Sequence, residues 1–145
     1  MRFQAIHPDE EPARSLLAAM EAELAEMYGG CGVVERGDLW LPRGSFLVGF
    51  EDDRPVAGGG FRWMRDGTAE IKRMYVVPDA RSRGIARALL VAVEDAARSA
   101  GYARVALDTG AKQPHAEALY RSAGYTEVEP FNDAPAVFWG EKPLT

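Results

Sequence analysis

The run from Glu70 to Gly101, EIKRMYVVPDARSRGIARALLVAVEDAARSAG, divides into a strand, a loop and a helix, and the rest of the chain has to accommodate that order. Residues Glu70 to Val77 are β-branched, aromatic or long, and Pro78, which offers no ladder donor, ends the strand. From Gly84 onward the apolar residues Ile85, Leu89, Ala92, Val93, Ala96 and Ala100 fall on one helix face. Gly101 stops that helix by entering the left-handed C′ conformation without a Cβ penalty. The next apolar run, Ala103 to Leu107, reads as a strand. Because a helix connects them, it and the Glu70–Val77 strand should lie side by side and parallel.

The chemistry concentrates at the junction Arg81-Ser82-Arg83-Gly84-Ile85-Ala86-Arg87. The first turn of a helix leaves backbone N–H groups unpaired and carries about half a positive charge, which suits an anion. Gly84 and the small Ala86 let a phosphate approach those amides, and Arg81, Arg83 and Arg87 add forked donors. Between Lys72 and Arg87 stand five basic residues against one acidic residue, Asp79, in a chain of net charge -5. A solvated loop would account for the arginines alone, but the order strand, proline, loop, glycine, helix points to a diphosphate site. Neither G-x-G-x-x-G nor G-K-[ST] is present, so the anion belongs to something other than the ligands of those motifs.

The flanking residues supply the remaining elements. Met1 to Ile6 reads as a strand, His7 to Pro12 as a break, and the apolar face Ala13, Leu16, Leu17, Met20, Leu24, Met27 and Tyr28 as a helix stopped by Gly29-Gly30. Gly29 to Gly44 is a long loop or broken helix, and loops of that length are often binding elements. Ser45–Glu51 and Val56–Trp63 are strands joined across Asp52-Asp53-Arg54-Pro55, and three successive glycines, Gly58 to Gly60, imply a bulge or a close approach. Arg65 to Thr68 is a second hairpin turn. Gln113-Pro114 starts a short helix whose Ala116, Leu119, Tyr120 and Ala123 share a side and which Gly124 closes. Tyr125–Glu129 and Ala136–Lys142 are final antiparallel strands around the Pro130–Pro135 loop. No repeat or linker interrupts the pattern, so residues 1–145 are expected to be a single domain holding one mixed sheet with helices on both faces.

Composition narrows the function classes. No run of about 18 apolar residues exists to span a bilayer, and the N-terminus lacks the apolar centre of a secretion signal. A single cysteine, Cys31, forms no internal disulfide, so a cytoplasmic location is expected. The acidic balance argues against a nucleic-acid binder, and no residue cluster suggests a metal.

Arg81-x-x-Gly84-x-Ala86 resembles the R/Q-x-x-G-x-G/A acetyl-CoA motif of the GCN5-related N-acetyltransferases, the GNAT family. It follows a strand opening Ala69-Glu70-Ile71, as in that family, and precedes Leu119-Tyr120 and Ala123-Gly124-Tyr125, similar to the family's "LYxxxGF" ending. The likeness runs from about Arg54 to Tyr125, roughly half the chain, and the order of the three motifs makes it specific. It implies a GNAT-like, mostly antiparallel sheet of six to seven strands with one parallel, splayed pair. It also implies acetyl-CoA as co-substrate, without a metal, and direct acetyl transfer to an amine of a small molecule or a protein. Relatives often pair through their C-terminal strands, which makes a homodimer one reading.

The resemblance also assigns roles. Backbone of Met74, Tyr75, Val76 and Val77 would pair with the pantetheine arm like an added strand, and an amide near Met74 would polarise the acetyl carbonyl. Arg81, Ser82, Arg83, Gly84, Ile85, Ala86 and Arg87 would hold the diphosphate. Gln113 would contact the cofactor from the position where many relatives have asparagine. An alkyl ammonium with a pKa near 10 leaves roughly one molecule in a thousand nucleophilic at neutral pH, so a base helps. Glu70 is the candidate base, directly or through water; its plain alternative is a solvated residue at a strand start, cross-strand to Arg62 or Lys72. Tyr120 is the candidate acid, with its phenol near the sulfur at the start of the last helix, against the alternative of core packing. Trp40, Arg43, Phe131 and Asp133 would line the amine site. A non-catalytic CoA or acyl-CoA sensor and a phosphate or nucleotide binder unrelated to CoA are the competing readings.

Overall fold

The chain forms β1 (Arg2–Ala5), α1 (Ala13–Tyr28), β2 (Ser45–Glu51), β3 (Arg54–Arg65), β4 (Thr68–Val76), α2 (Ile85–Ser99), β5 (Arg104–Gly110), α3 (Pro114–Ser122), β6 (Thr126–Glu127) and β7 (Ala136–Pro143), with short 3-10 turns at Arg36–Leu39 and Pro78–Ala80. These come from a computed structural model that describes residues 1–145. The strands make one sheet in the order β1-β2-β3-β4-β5-β7-β6, antiparallel throughout except for the β4–β5 pair.

Side-chain alternation along β2 separates two apolar layers. Phe46, Val48 and Phe50 pack with Ala13, Leu16 and Leu17 of α1. Leu47 points the other way and joins the larger cluster that contains Leu89, Leu90, Val93 and Ala97 of α2. Both helices therefore clamp the sheet by their apolar faces, and truncating a fully buried member such as Leu89 to alanine costs about 2–5 kcal/mol.

Two features of the sheet open a site. β4 and β5 pair only through Thr68–Arg104, Ala69–Val105 and Glu70–Ala106, after which β4 continues bonded to β3 alone and β5 to β7 alone. A bulge lies just past that point: Gly58 and Gly60 of β3 face Tyr75 and Lys72, so two steps on one strand oppose three on the other. Arg73 takes up the extra residue with φ 61°. Bulges bend and twist a strand, which turns the end of β4 away from β5. The glycines opposite serve close approach, since a Cβ at Gly59 would stand 2.6 Å from Met74 Sδ and one at Gly58 would stand 2.9 Å from the Phe46 ring.

Some boundaries differ from expectation. The first hairpin tightens to Asp52-Asp53, with Asp52 at φ 52°, so Arg54 and Pro55 belong to β3. β4 starts at Thr68 and β5 runs on to Gly110. Only Thr126–Glu127 of the expected Tyr125–Glu129 strand pairs regularly; Val128 still donates to Trp139 O at 2.8 Å before Pro130 leads the chain off the sheet.

Candidate active site

The loop between β4 and α2 ends in two left-handed residues, Ser82 (φ 66°) and Gly84 (φ 80°), and Gly84 is the N-cap of α2. Ala88 makes the first helical bond, to Gly84 O. None of the six backbone N–H groups from Ser82 to Arg87 has an acceptor within the protein, and no side chain caps the helix. A Cβ at Gly84 would meet nothing within 4 Å, so the space above the turn is open. This is a row of unspent donors at the positive end of a helix dipole, facing solvent.

The arginines around it are less free than their clustering in the sequence implies. Arg81 makes a two-point contact with Glu23 of α1 at 2.9 Å and donates through Nε to Val76 O. Arg83 turns away to Glu51 at 2.6 Å and lies outside the cleft lining. Lys72 and Arg73 likewise meet Glu70 and Glu21. Only Arg87 of the five cations lacks a carboxylate partner; it donates to Ser122 Oγ at 2.7 Å. Partners from distant segments thus cancel most of the local excess, and what the turn leaves unpaired is chiefly its amides.

From this turn a cleft of about 540 Å³ runs along Met74, Tyr75 and Val76 to α3. Its β4 wall is the edge freed by the splay, five residue steps from Ile71 to Val76, or roughly 17 Å. Val77, expected to extend that edge, has its N–H committed to Val56 O at 2.9 Å. A second cleft of about 480 Å³ opens on the other side, between the end of α1, the bulge of β4, the end of β5 and the Ala134–Ala136 loop. Met74, Gln113, Ala116 and Tyr120 line both clefts and so mark where they meet. Gln113 is the N-cap residue of α3, and its Oε1 accepts from the Tyr28 hydroxyl at 3.3 Å.

Tyr120 sits in the last turn of α3, 7 % exposed and edge-on to Tyr125. Its hydroxyl makes no hydrogen bond within the protein and is not sealed off from the clefts. Burial, with a smaller push from Asp108, raises its pKa to about 12, so the phenol keeps its proton across the physiological range. Asp108, on β5 in the second cleft, accepts from Asn132 Nδ2 at 2.8 Å. Sequence reasoning passed over it, although carboxyl ends of parallel strands are where α/β sheets bind ligands.

Other expected residues are not brought together. Glu70 is buried, takes Arg62 Nε at 3.0 Å and Lys72 Nζ at 3.6 Å, and lines neither cleft. The pairing with Arg62 and Lys72 is that of the plain alternative to a base, but the carboxylate is buried rather than solvated and stands two residues into β4. Trp40 packs on His7, and Arg43 stacks on Trp63 while its carbonyl accepts from Tyr102; both lie outside the clefts, because the turn at Arg36–Leu39 carries this loop over β2 and β3. Of the Pro130–Pro135 loop, Ala134 and Pro135 reach the cleft, whereas Phe131 and Asp133 do not. No helix is long and apolar enough to cross a membrane.

The sequence pattern of the acetyltransferase (GNAT) family matches residues 13–125. An IAA acetyltransferase from Azospirillum brasilense is 43 % identical over 143 residues, covering 94 % of each chain. A mycothiol acetyltransferase from Clavibacter sepedonicus is 34 % identical over 76 % of this chain, which spans only 38 % of that protein. Among solved structures, a Klebsiella pneumoniae protein described as an acyl-CoA N-acyltransferase superposes with a TM-score of 0.79 at 26 % identity over 99 % of this chain and 97 % of the other. The coenzyme A complex of the PaiA N-acetyltransferase from Thermoplasma acidophilum has the same fold, with a TM-score of 0.72 at 17 % identity over 99 % of each chain.

Proposed function

The chain belongs to the acetyltransferase (GNAT) family, and from that premise we propose that it moves the acetyl group of acetyl-CoA directly onto a primary amine while both are bound. The observation that carries the reading is the row of unpaired amides from Ser82 to Arg87, opening into a cleft that meets a second cleft at Met74 and Tyr120. The first cleft fits a donor with a diphosphate at one end and an extended arm; the second fits an acceptor.

Bound acetyl-CoA supplies an activated acyl group as a thioester. The chain's own residues supply the rest. The amides of Ser82 to Arg87 and the Arg87 guanidinium take the diphosphate. The free edge of β4 at Met74 to Val76 aligns the arm and offers an amide to the acyl oxygen, where negative charge develops. Asp108 draws the ammonium of the acceptor into the second cleft and receives its proton directly or through water. Tyr120 holds an O–H at the junction and donates it towards the departing sulfur. The ammonium gives up two protons in becoming an amide: one passes to Asp108 and on to solvent, and the second replaces the proton that Tyr120 gives to the sulfur, so the exchange balances. Glu70, tied to Arg62 and Lys72, holds the base of β4 in register and is not the proton acceptor.

Thermal stabilisation by CoA, acetyl-CoA and ATP, followed by thiol release with an amine panel, tests the reading. Stabilisation by both CoA species but not by ATP, with amine-dependent thiol release, is the expected result. Greater stabilisation by ATP would overturn the donor assignment, and stabilisation by CoA without turnover of any amine would leave a binding module in place of an enzyme.

A further inference from the structure

The acceptor cleft holds a cation that acetyl transfer as described does not use. Arg73 occupies the left-handed bulge of β4, a conformation that costs a non-glycine residue roughly 1–2 kcal/mol. The bulge breaks the alternation of the strand, so that Lys72, Arg73 and Met74 all reach the same cleft, where a regular strand would send the middle one to the opposite face. Arg73 is 7 % exposed. Its Nη2 donates to Gly32 O at 2.6 Å and stands 4.0 Å from Cys31 Sγ.

The rest of the guanidinium is unspent. Nε faces Glu21 Oε2 at 3.4 Å but without hydrogen-bond geometry, and it is the one buried side-chain polar atom in the molecule with no partner. Nη1 has no hydrogen bond either and is not fully buried, and the residue lines the cleft. Glu21 is already engaged by Arg36 at 3.0 Å. Buried donors left over are costly unless an acceptor completes them, and Glu21, shared with Arg36, leaves Nη1 for a second carboxylate. The same cleft offers apolar walls at Met20, Leu24, Ile71 and Leu107, and the Asp108 carboxylate.

Resting on the acetyl-transfer reading, we propose that the acceptor is an amine that also bears a carboxylate: Arg73 takes the carboxylate, Asp108 the ammonium, and the apolar walls the side chain. The substrate class is thus an apolar amino acid or a similar amino-carboxylate. A simple alkylamine or a basic polyamine is disfavoured, because it would leave Nη1 of the arginine without an acceptor.

The test compares L-phenylalanine and L-methionine with their carboxamides, which keep the amine and lose the negative charge. Two readouts are used: the shift in melting temperature in the presence of CoA, which needs no turnover, and thiol release from acetyl-CoA. The acids should stabilise the CoA-bound protein where the carboxamides do not, and should be acetylated with kcat/KM roughly ten- to a hundredfold higher, mostly through KM. Arg73→Met should erase the preference and Arg73→Lys restore part of it, with the CoA-induced shift retained as proof of folding. Equal stabilisation by acids and carboxamides in the unaltered protein, or a preference that survives in Arg73→Met, would overturn the proposal. Selective stabilisation by the acids without thiol release would uphold the subsite while overturning the acetyl-transfer reading.

Discussion

The two clefts that meet at Tyr120 are built from different materials. The donor side is mostly backbone: amides from Ser82 to Arg87 without acceptors and the freed edge of β4. The acceptor side is mostly side chains brought from five segments: the end of α1, the β4 bulge, β5, α3 and the Ala134–Ala136 stretch. A backbone site needs only a particular chain path, which a few small residues and a proline specify locally. A side-chain site depends on which distant residues the fold sets face to face. The first kind is expected to tolerate change in its charged residues and not in its turn; the second kind the reverse.

The largest effect is expected where the two sides join. Tyr120→Phe removes the donor hydroxyl and leaves the ring packed on Tyr125, so thiol release should fall by about 10²–10⁴ while CoA stabilises the variant as it does the parent. Stopped-flow or steady-state thiol assays beside a melting curve check this; a loss below about threefold with every accepted amine would show that the clefts meet without that phenol doing chemistry.

On the donor side, Gly84→Val forces a β-branched residue into φ 80° and sets methyls over the open amides. CoA affinity measured by calorimetry should weaken roughly ten- to a hundredfold. An unchanged affinity would mean that the diphosphate lies elsewhere.

The same contrast decides what was legible in the sequence. Residues 81 to 87 disclosed the turn with its unpaired amides because its requirements are local: a proline to end β4 and a glycine for the left-handed N-cap. The parallel pair followed from the helix between its strands. The acceptor residues could not be read this way. Arg73 faces the cleft only because of a bulge whose left-handed residue is an arginine, and nothing in residues 70 to 77 marks the break in alternation. The three glycines of β3 hinted at it from the opposite strand. Asp108 gains its place from the splay of β5, and Trp40 and Arg43 lose theirs because Arg36–Leu39 tucks over β2 and β3. Counting charges along the chain misled for the same reason, since Glu23, Glu51, Glu70 and Glu21 arrive from elsewhere to pair with the apparent excess.

A pH titration sharpens the view of the junction. Tyr120 and Tyr125 have pKa values raised by burial, the former to about 12, and the hydroxyl of Tyr125 also donates to Glu94 at 2.7 Å. A group that binds its proton more tightly when folded stabilises the fold fully below its unfolded pKa, near 10, and loses that contribution as pH climbs towards the folded value. Stability should therefore be flat from pH 8 to about 9.5 and fall above that, with Tyr120 alone accounting for ~2–3 kcal/mol by pH 12. Urea denaturation across this range should show a shallower decline in Tyr120→Phe; identical slopes would mean that the phenol is not buried as described.

Glu70 offers a finer discrimination. If its carboxylate only secures Arg62 and Lys72, Glu70→Gln should cost about 1–3 kcal/mol of stability, because two cations near a buried position lose their counter-charge. The rate at saturating amine should change less than the stability does, and the pH–rate profile should keep its shape. Disappearance of the acidic limb of that profile would instead make Glu70 the proton acceptor and Asp108 a bystander.

The smallest effect belongs to Arg83, and it tests the backbone character of the donor side most directly. By sequence it is the middle arginine of the anion motif, yet its guanidinium is 2.6 Å from Glu51 and half exposed. An exposed ion pair of this kind contributes about 0–1 kcal/mol. Arg83→Gln should therefore lower the melting temperature slightly and change CoA affinity less than threefold at 0.15 M salt, where screening over ~8 Å weakens any remaining attraction. Arg87→Gln, which removes the only one of these cations without a carboxylate partner, should weaken CoA more than Arg83→Gln does. If the two variants lose affinity equally, the diphosphate is held by a field of charges rather than by amides, and the division between a backbone cleft and a side-chain cleft fails at its first member.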